Sequence, residues 1–130
     1  MLYFSRGTSI NFNYTAEFNK EWHALKLDEK DRFDFETGIV TYYRNLPVNN
    51  YEKNFPGNII QGTGGAYKYR YRAPDSPQGK SSSYRTIYFI ANNNQLWFLT
   101  IYKKNQKATL SDREKADLRA FSRLLTLKGI

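Results

Sequence analysis

Hydrophobic periodicity predicts that the chain begins with a strand followed by a helix. Apolar and polar residues alternate over residues 10–14, which is typical of a short, half-buried strand. Thr15 is a favourable N-cap because its hydroxyl can accept a hydrogen bond from a backbone N–H of the first turn. Phe18, Trp22 and Leu25 then recur at helical spacing, so we expect them to line the buried side of a first helix.

A second helix is predicted to run from Asp28 towards Arg44. Asp28 can cap this helix, and Asp31 adds negative charge near its N-terminal amides. Residues 39–43 also have high strand propensity, but the length of the segment and its cap favour a helix, which Pro47 ends.

A polar segment separates these helices from a region of strands. Residues 49–65 are rich in Asn and Gly, which predicts a loop with a brief strand pairing at residues 59–61. Residues 67–72 alternate strictly between tyrosine and a cation, which predicts a strand. Residues 73–83 contain Pro, Gly and Ser and predict a flexible loop.

The clearest pattern in the chain predicts a β-hairpin. Tyr84–Ala91 and Gln95–Lys103 are rich in β-branched and aromatic residues, and residues 92–94 between them are three asparagines. We therefore expect these two strands to be antiparallel neighbours.

A C-terminal helix completes the predicted order β-α-α-β-β-β-α. Ser111 and Glu114 have the spacing of a capping box. The helix that follows has an apolar stripe formed by Leu118, Phe121, Leu124 and Leu125. This order predicts a single α+β domain over residues 1–130, with the helices on one side of a small antiparallel sheet. About the first eight residues are expected to form a disordered leader.

Charge is distributed unevenly along the chain. The net charge is +8, but residues 1–65 carry seven basic and eight acidic side chains, whereas residues 66–130 carry thirteen basic and four acidic ones. Between Ala66 and Lys104 seven cations accompany a single acid, Asp75. Like charges concentrated in this way favour a polyanionic partner such as RNA over a merely solubilising surface.

Strand alternation places these cations on one face of the predicted sheet. Lys68, Arg70 and Arg72 share a face at intervals of about 6.6 Å, close to the spacing of phosphates along a nucleic-acid strand. The other face carries Tyr69, which we assign to the core, and two tyrosines for which either environment remains open, Tyr67 and Tyr71. If the strands are neighbours, these cations converge with others at one end of the sheet: Lys80, Arg85 and Lys104, together with Tyr102.

Composition excludes several kinds of chemistry. The chain has no cysteine, which excludes disulfides, thiolate catalysis and Cys-ligated zinc. Its one histidine, His23, lies in the predicted first helix and is interpreted as a surface or core residue rather than a catalyst. No run of 18 apolar residues and no signal peptide are present, so we expect a cytoplasmic protein without a membrane span.

The segment from Gly62 to Phe121 resembles the core of RelE/HigB-type toxins of bacterial type II toxin–antitoxin modules. It has a Gly-rich turn at residues 62–65, a K-x-R strand, a basic loop, an R-x-I-Y strand, a Y-x-K-N segment and an L-[ST]-x-x-E helix start. The residues that carry these motifs are Lys68, Arg70, Lys80, Arg85, Tyr88, Tyr102, Lys104, Asn105, Leu110, Ser111 and Glu114. The chain departs from the pattern at Tyr67, where a basic residue is common, and at residues 81–83, where glycines are common.

The resemblance implies a RelE-like fold and a metal-independent endoribonuclease without a cofactor. Such toxins mostly cut mRNA in the ribosomal A site, against 16S rRNA, by attack of a ribose 2′-OH on the neighbouring phosphodiester. The implied catalytic set is Lys68, Arg70, Arg85 and Tyr102. Because crowding by cations favours the neutral form of a lysine, Lys68 is the candidate base, and Arg85 suits bidentate binding of the phosphate. Tyr102 either stacks on a splayed base or donates a proton.

Four further cations are candidates for binding the RNA backbone: Arg72, Lys80, Lys103 and Lys104. For every cation named, phosphate positioning without a catalytic role is the alternative. The resemblance also implies an antitoxin partner, expected to be a DNA-binding helix-turn-helix protein that covers the cationic face.

Three other functions remain open at this point. A ParE-type toxin of the same fold would poison DNA gyrase without cutting RNA, although such toxins typically lack the set Lys68, Arg70, Arg85 and Tyr102. A non-enzymatic RNA-binding module and a basic α+β domain that binds a protein partner are the other two.

Overall fold

Five strands, three α-helices and one short 3₁₀ turn (Lys104–Gln106) account for the regular structure of the described residues. This computed structural model describes residues 10–45, 55–74, 83–92, 94–107 and 109–127. The elements in chain order are β1 (Asn11–Tyr14), α1 (Ala16–Ala24), α2 (Glu29–Arg44), β2 (Asn58–Ile59), β3 (Tyr67–Tyr71), β4 (Tyr84–Ala91), β5 (Gln95–Lys103) and α3 (Asp112–Leu127).

The strands form one sheet in the order β1-β5-β4-β3-β2. The predicted hairpin of β4 and β5 is confirmed with its expected bounds, and β3 lies antiparallel to β4. β1 pairs with β5 in parallel, so the sheet is mostly antiparallel rather than wholly so. The brief pairing predicted at residues 59–61 lies instead at Asn58–Ile59. The predicted α+β class is confirmed.

Side-chain caps fix the two N-terminal helices where the sequence predicts them. The Thr15 hydroxyl accepts a hydrogen bond from the Phe18 N–H at 3.1 Å. Asp28 and Asp31 form a reciprocal capping box, with both hydrogen bonds at 2.9 Å. The strand-prone end of α2 stays helical because Phe35 and Ile39, one turn apart, are both fully buried against the sheet.

Aromatic rings fill the space between α1, α2 and one face of the sheet. Phe18, Phe35 and Phe98 are fully buried there, with ring centroids 5.1–6.2 Å apart. The three tyrosines of β3 join this cluster: Tyr71 is buried, and Tyr67 and Tyr69 are half-buried. The Tyr71 hydroxyl donates to the Asp31 carbonyl at 3.0 Å. The opposite face of β3 is therefore left to its cations.

The third helix packs on the other face of the sheet, so the prediction that all helices lie on one side is wrong. Leu118 and Leu125 of α3 are buried with Ile87 and Phe89, whereas the alternate β4 residues belong to the first cluster. Because β4 is apolar on both faces, its sequence does not specify which face receives a helix. Within the predicted apolar stripe of α3, Leu118 and Leu125 are buried, whereas Leu124 is 52% exposed.

A buried threonine organises the Gly-rich turn at residues 62–65. The Thr63 hydroxyl donates to the Ile60 carbonyl at 2.6 Å and accepts from the Ala66 N–H at 3.0 Å. Gly64 has a φ of +78°, and its carbonyl accepts a hydrogen bond from the Ser122 hydroxyl at 2.9 Å. The turn thereby connects the start of β3 to α3.

We expect Thr63→Val to destabilise the protein by about 2 kcal/mol, because it keeps the side-chain shape but leaves a buried N–H and a carbonyl without a partner. Thermal unfolding followed by circular dichroism should show a fall in melting temperature of roughly 5–10 °C. Thr37→Val, at an exposed position of α2, is the matched control and should change little. Equal melting temperatures for the two variants would contradict this role of Thr63.

Some predictions fall outside the described residues. The leader at the N-terminus, Pro47, most of the basic loop with Lys80, and Asn93 in the hairpin turn belong to this group. Among the helices that the structure describes, none is long and apolar enough to cross a membrane.

Candidate active site

A row of three candidate side chains crosses the three central strands of the sheet near one end. Arg70 on β3 is directly opposite Arg85 on β4, and Arg85 is directly opposite Tyr102 on β5. Since neighbouring strands are about 4.8 Å apart, the three side chains emerge within about 10 Å on one face. Of the convergence predicted from the sequence, the structure describes the part formed by Arg70, Arg85 and Tyr102, because β3, β4 and β5 are neighbours in this order.

Lys68 extends this row along β3. It is paired with Ile87 and lies two residues from Arg70, on the same face. Lys68, Arg70 and Arg85 line a cleft of about 310 Å³ together with the segment before β3. Gly57 in that segment has a φ of +103°, and a Cβ there would lie 2.5 Å from the Lys68 carbonyl oxygen. Glycine is therefore required for the chain to pass this close to the row.

The positive charges of the row are not compensated by the described part of the chain. Arg70 and Arg85 are like charges in directly opposed positions, an arrangement that is unfavourable in itself. Among the described residues, the only ion pair joins Lys107 to Glu114. The Nη1 group of Arg85 is buried and has no hydrogen-bond partner there. A buried donor without a partner costs about 1–3 kcal/mol, which an anionic ligand would offset.

Tyr102 supplies a neutral hydroxyl beside these cations. Its side chain is only 6% exposed, and burial raises the pKa of the phenol, although the charges of Lys107 and Arg85 act in the opposite direction. The raised pKa keeps the hydroxyl protonated at neutral pH, where it can donate a hydrogen bond or a proton. The Lys107 ammonium lies 5.1 Å from the centre of the Tyr102 ring, so one ring face is already covered.

A β-bulge in β5 precedes Tyr102. The register of β4 and β5 shifts between Ile87 and Tyr88, which leaves Leu99 as the extra residue of β5. Glu21 of α1 occupies the gap: its carboxylate accepts hydrogen bonds from the Ile101 N–H at 3.0 Å and the Thr100 hydroxyl at 2.7 Å. The bulge, together with the Glu21 carboxylate bound to it, fixes the direction in which the end of β5 leaves the sheet.

The remaining predicted RNA-binding cations lie around this row rather than in it. Arg72 is exposed just beyond β3, and Lys104 is exposed in a 3₁₀ turn, Lys104–Gln106, after β5. Lys103 is paired with Tyr84, whose side chain lies in the aromatic cluster, so alternation directs Lys103 away from the face of Tyr102. Lys80 is outside the described residues.

The one histidine lies elsewhere. His23 is exposed on α1, and its Nδ1 is 2.9 Å from the Asn19 carbonyl oxygen. His23 borders a groove that is also lined by Arg32. The Arg32 guanidinium carbon lies 4.1 Å from the centre of the Tyr14 ring and 4.4 Å from that of Trp22, so this cation is stacked on both rings. Within the described ranges no three His, Cys, Asp or Glu side chains lie close enough to bind a metal ion.

Sequence reasoning missed two residues that border the row, Lys107 and Glu21. Lys107 follows the Y-x-K-N motif by two residues, and its ion pair with Glu114 is visible only once the 3₁₀ turn is formed. Glu21 has the helical spacing of an ordinary surface carboxylate, and no sequence signal marks the bulge that it binds.

A comparison with known protein families matches the part of the chain that carries this row. Residues 50–128 match a family described as the RelE toxin of the RelE / RelB toxin-antitoxin system. The match includes β3, β4, β5 and α3, and with them every cation of the row and Tyr102. Because it spans more than half of the 130 residues, the match establishes the family. The chain belongs to the RelE toxin family of toxin–antitoxin systems.

Proposed function

We propose that this toxin is an endoribonuclease that cuts mRNA in the A site of the ribosome, against 16S rRNA, and so inhibits translation. The observation that supports this most directly is the row of Arg70, Arg85 and Tyr102, in which two guanidinium groups without an ion-pair partner among the described residues adjoin a protonated phenol. Cationic groups of this kind bind phosphate, and a phenol can protonate a leaving oxygen.

The proposed reaction divides proton transfer between two residues. Lys68 accepts the proton of the ribose 2′-OH, since guanidinium groups are never deprotonated and the raised pKa of Tyr102 keeps its phenol protonated. The 2′-oxygen forms a bond to phosphorus as the bond from phosphorus to the 5′-oxygen breaks. Tyr102 gives its proton to that 5′-oxygen. The products are a 2′,3′-cyclic phosphate and a 5′-hydroxyl, and water returns both side chains to their starting protonation.

The arginines stabilise the charge that develops on the phosphoryl oxygens. Arg85 is suited to a bidentate contact because its planar guanidinium carries paired donors, and its buried Nη1 has no partner among the described residues. Arg70, on the neighbouring strand, binds the same phosphate or the next one. The mechanism requires neither a metal ion nor a cofactor, since proton transfer and charge stabilisation are supplied by these side chains.

Proton donation fits Tyr102 better than base stacking does. With 6% of its side chain exposed and an ammonium over one ring face, Tyr102 offers little surface on which a base can stack. Arg72, Lys80 and Lys104 are proposed to bind the RNA backbone on either side of the cut. Lys103 has a weaker claim to that role because it faces away from Tyr102.

An antitoxin is the second proposed partner. We expect a DNA-binding helix-turn-helix protein with an acidic segment that covers the row, because uncompensated cations attract an acidic surface. A protein that binds and inhibits the toxin without protecting Lys68, Arg70 or Arg85 from solvent would contradict this docking site.

Inducible expression tests the activity directly. The wild-type protein should arrest growth and produce in-frame cuts, detected by primer extension on translated mRNAs. Tyr102→Phe removes only the hydroxyl and should lower the cutting rate by about 10²-fold. Growth arrest without cuts would favour gyrase as the target, and absence of arrest would leave a binding function alone.

A further inference from the structure

Lys107 connects the row to the start of α3. It follows the 3₁₀ turn Lys104–Gln106, which is closed by a hydrogen bond of 2.7 Å from the Lys103 N–H to the Gln106 side chain. Its ammonium lies 5.1 Å from the centre of the Tyr102 ring and forms an ion pair with Glu114. The ammonium is therefore held between a buried phenol and a carboxylate.

Glu114 is itself fixed. It accepts a hydrogen bond from the Ser111 N–H at 2.8 Å, and the Ser111 hydroxyl accepts one from the Glu114 N–H at 3.1 Å. The bond to Lys107 is the largest influence that holds the pKa of Glu114 below its usual value, followed by the Ser111 N–H. Because the helix cap immobilises the carboxylate, the carboxylate in turn limits where Lys107 can move.

The position of Lys107 matters for proton transfer from Tyr102. When a phenol loses its proton, negative charge spreads into the ring, and a cation over the ring face stabilises that charge. Among the described residues, three charged groups act on Tyr102: Arg85 from β4, Lys107 after the turn and Glu114 from α3. Lys107 is the largest of the charge effects that oppose the increase in the pKa of Tyr102 caused by burial.

We propose that Lys107 is a positioning residue that holds the Tyr102 ring in place and promotes proton release from its hydroxyl, with Glu114 fixing the ammonium. This inference rests on the proposed function, since it assigns a role to Lys107 in the protonation of the 5′-oxygen. Lys107 contacts neither the scissile phosphate nor the 5′-oxygen and acts through Tyr102.

A substrate whose leaving group needs no protonation distinguishes this role of Lys107 from a general structural one. In an mRNA with sulfur in place of the bridging 5′-oxygen at the cut site, the leaving thiolate departs without protonation. Lys107→Met should slow single-turnover cleavage of ordinary ribosome-bound mRNA by about tenfold, which is part of the roughly 10²-fold that the proton donor itself contributes. The same variant should slow cleavage of the sulfur substrate by less than about twofold, because acid catalysis is no longer required.

The matched variants separate charge from structure. Lys107→Arg retains the charge and should restore most of the rate. Lys115→Met removes a lysine charge from the residue that follows Glu114 in α3 and should have no effect on the rate. Equal slowing of both substrates by Lys107→Met would overturn the proposal, since a general structural defect slows both. So would a failure of Lys107→Arg to restore cleavage of the ordinary substrate.

Titration of the free protein tests the coupling without RNA. With ¹³Cζ-labelled tyrosine and Tyr102→Phe to assign the signal, the Tyr102 midpoint should lie about one pH unit lower in Lys107→Arg than in Lys107→Met. Arginine is the charged reference because its guanidinium remains protonated where phenols titrate. Identical midpoints would overturn the coupling. If the wild-type protein cuts no mRNA, the proposed function fails, while the titration still decides whether Lys107 acts on Tyr102.

Discussion

Replacing Arg85 with alanine is expected to lower the rate of mRNA cleavage by about 10²–10³-fold, the usual effect of removing one preorganised donor from a developing oxyanion. Arg85 occupies the middle of the row, opposite both Arg70 and Tyr102. In the part of the chain that the structure describes, no other side chain is paired across both strands with two members of the row. The measurement is single-turnover cleavage of ribosome-bound mRNA, supported by primer extension in cells.

The same substitution should not destabilise the protein. Arg85→Ala removes a repulsion with Arg70 and a buried N–H group that has no partner among the described residues, so the melting temperature should stay the same or increase. Activity and stability that change in opposite directions are typical of a residue retained for function.

Two further variants make this prediction specific. Arg85→Lys keeps one positive charge but loses the planar pair of donors, so its rate should lie between wild type and alanine. Arg123→Ala removes an exposed arginine from α3 and should cut at the wild-type rate. Unchanged cutting by Arg85→Ala would exclude Arg85 from the active site.

Local signals account for the parts of the fold that the sequence predicted. The caps at Thr15 and Asp28 and the hairpin of β4 and β5 depend on neighbouring residues, and all three are confirmed. The alternation of β3 likewise separated its cations from its tyrosines, because a strand has a side-chain period of two. Given this alternation, the row forms as soon as β3, β4 and β5 are neighbours in the sheet.

Tertiary contacts determine what the sequence did not predict. The face on which α3 packs depends on the volume left free by α1 and α2, which no local pattern encodes. The bulge at Leu99 and the contact between Lys107 and Tyr102 arise where segments distant in sequence meet. Lys103 illustrates the same limit. Its charge placed it among the predicted RNA-binding cations, but its pairing with Tyr84 puts it on the face of the aromatic cluster.

Phe35→Ala is expected to cause the largest loss of stability, about 3–5 kcal/mol. The Phe35 ring is fully buried at the centre of the aromatic cluster, and its centroid lies 5.1 Å from that of Phe98, 5.2 Å from Tyr71 and 5.9 Å from Tyr69. Close packing leaves few atoms free to fill the cavity, so both the apolar transfer energy and the ring contacts are lost. Urea unfolding should show a lower midpoint with an unchanged slope.

The packing lost in Phe35→Ala should also affect the row of Arg70, Arg85 and Tyr102 on the opposite face of the sheet. Tyr69 and Tyr71 flank Arg70 on β3, so the cavity loosens the strand that carries two cations of the row. Phe33→Ala is the matched control on the same helix, because Phe33 is 74% exposed and its loss should change the unfolding free energy by less than about 0.5 kcal/mol. A Phe35→Ala protein as stable as Phe33→Ala would mean that the aromatic cluster does not hold β3 against α2.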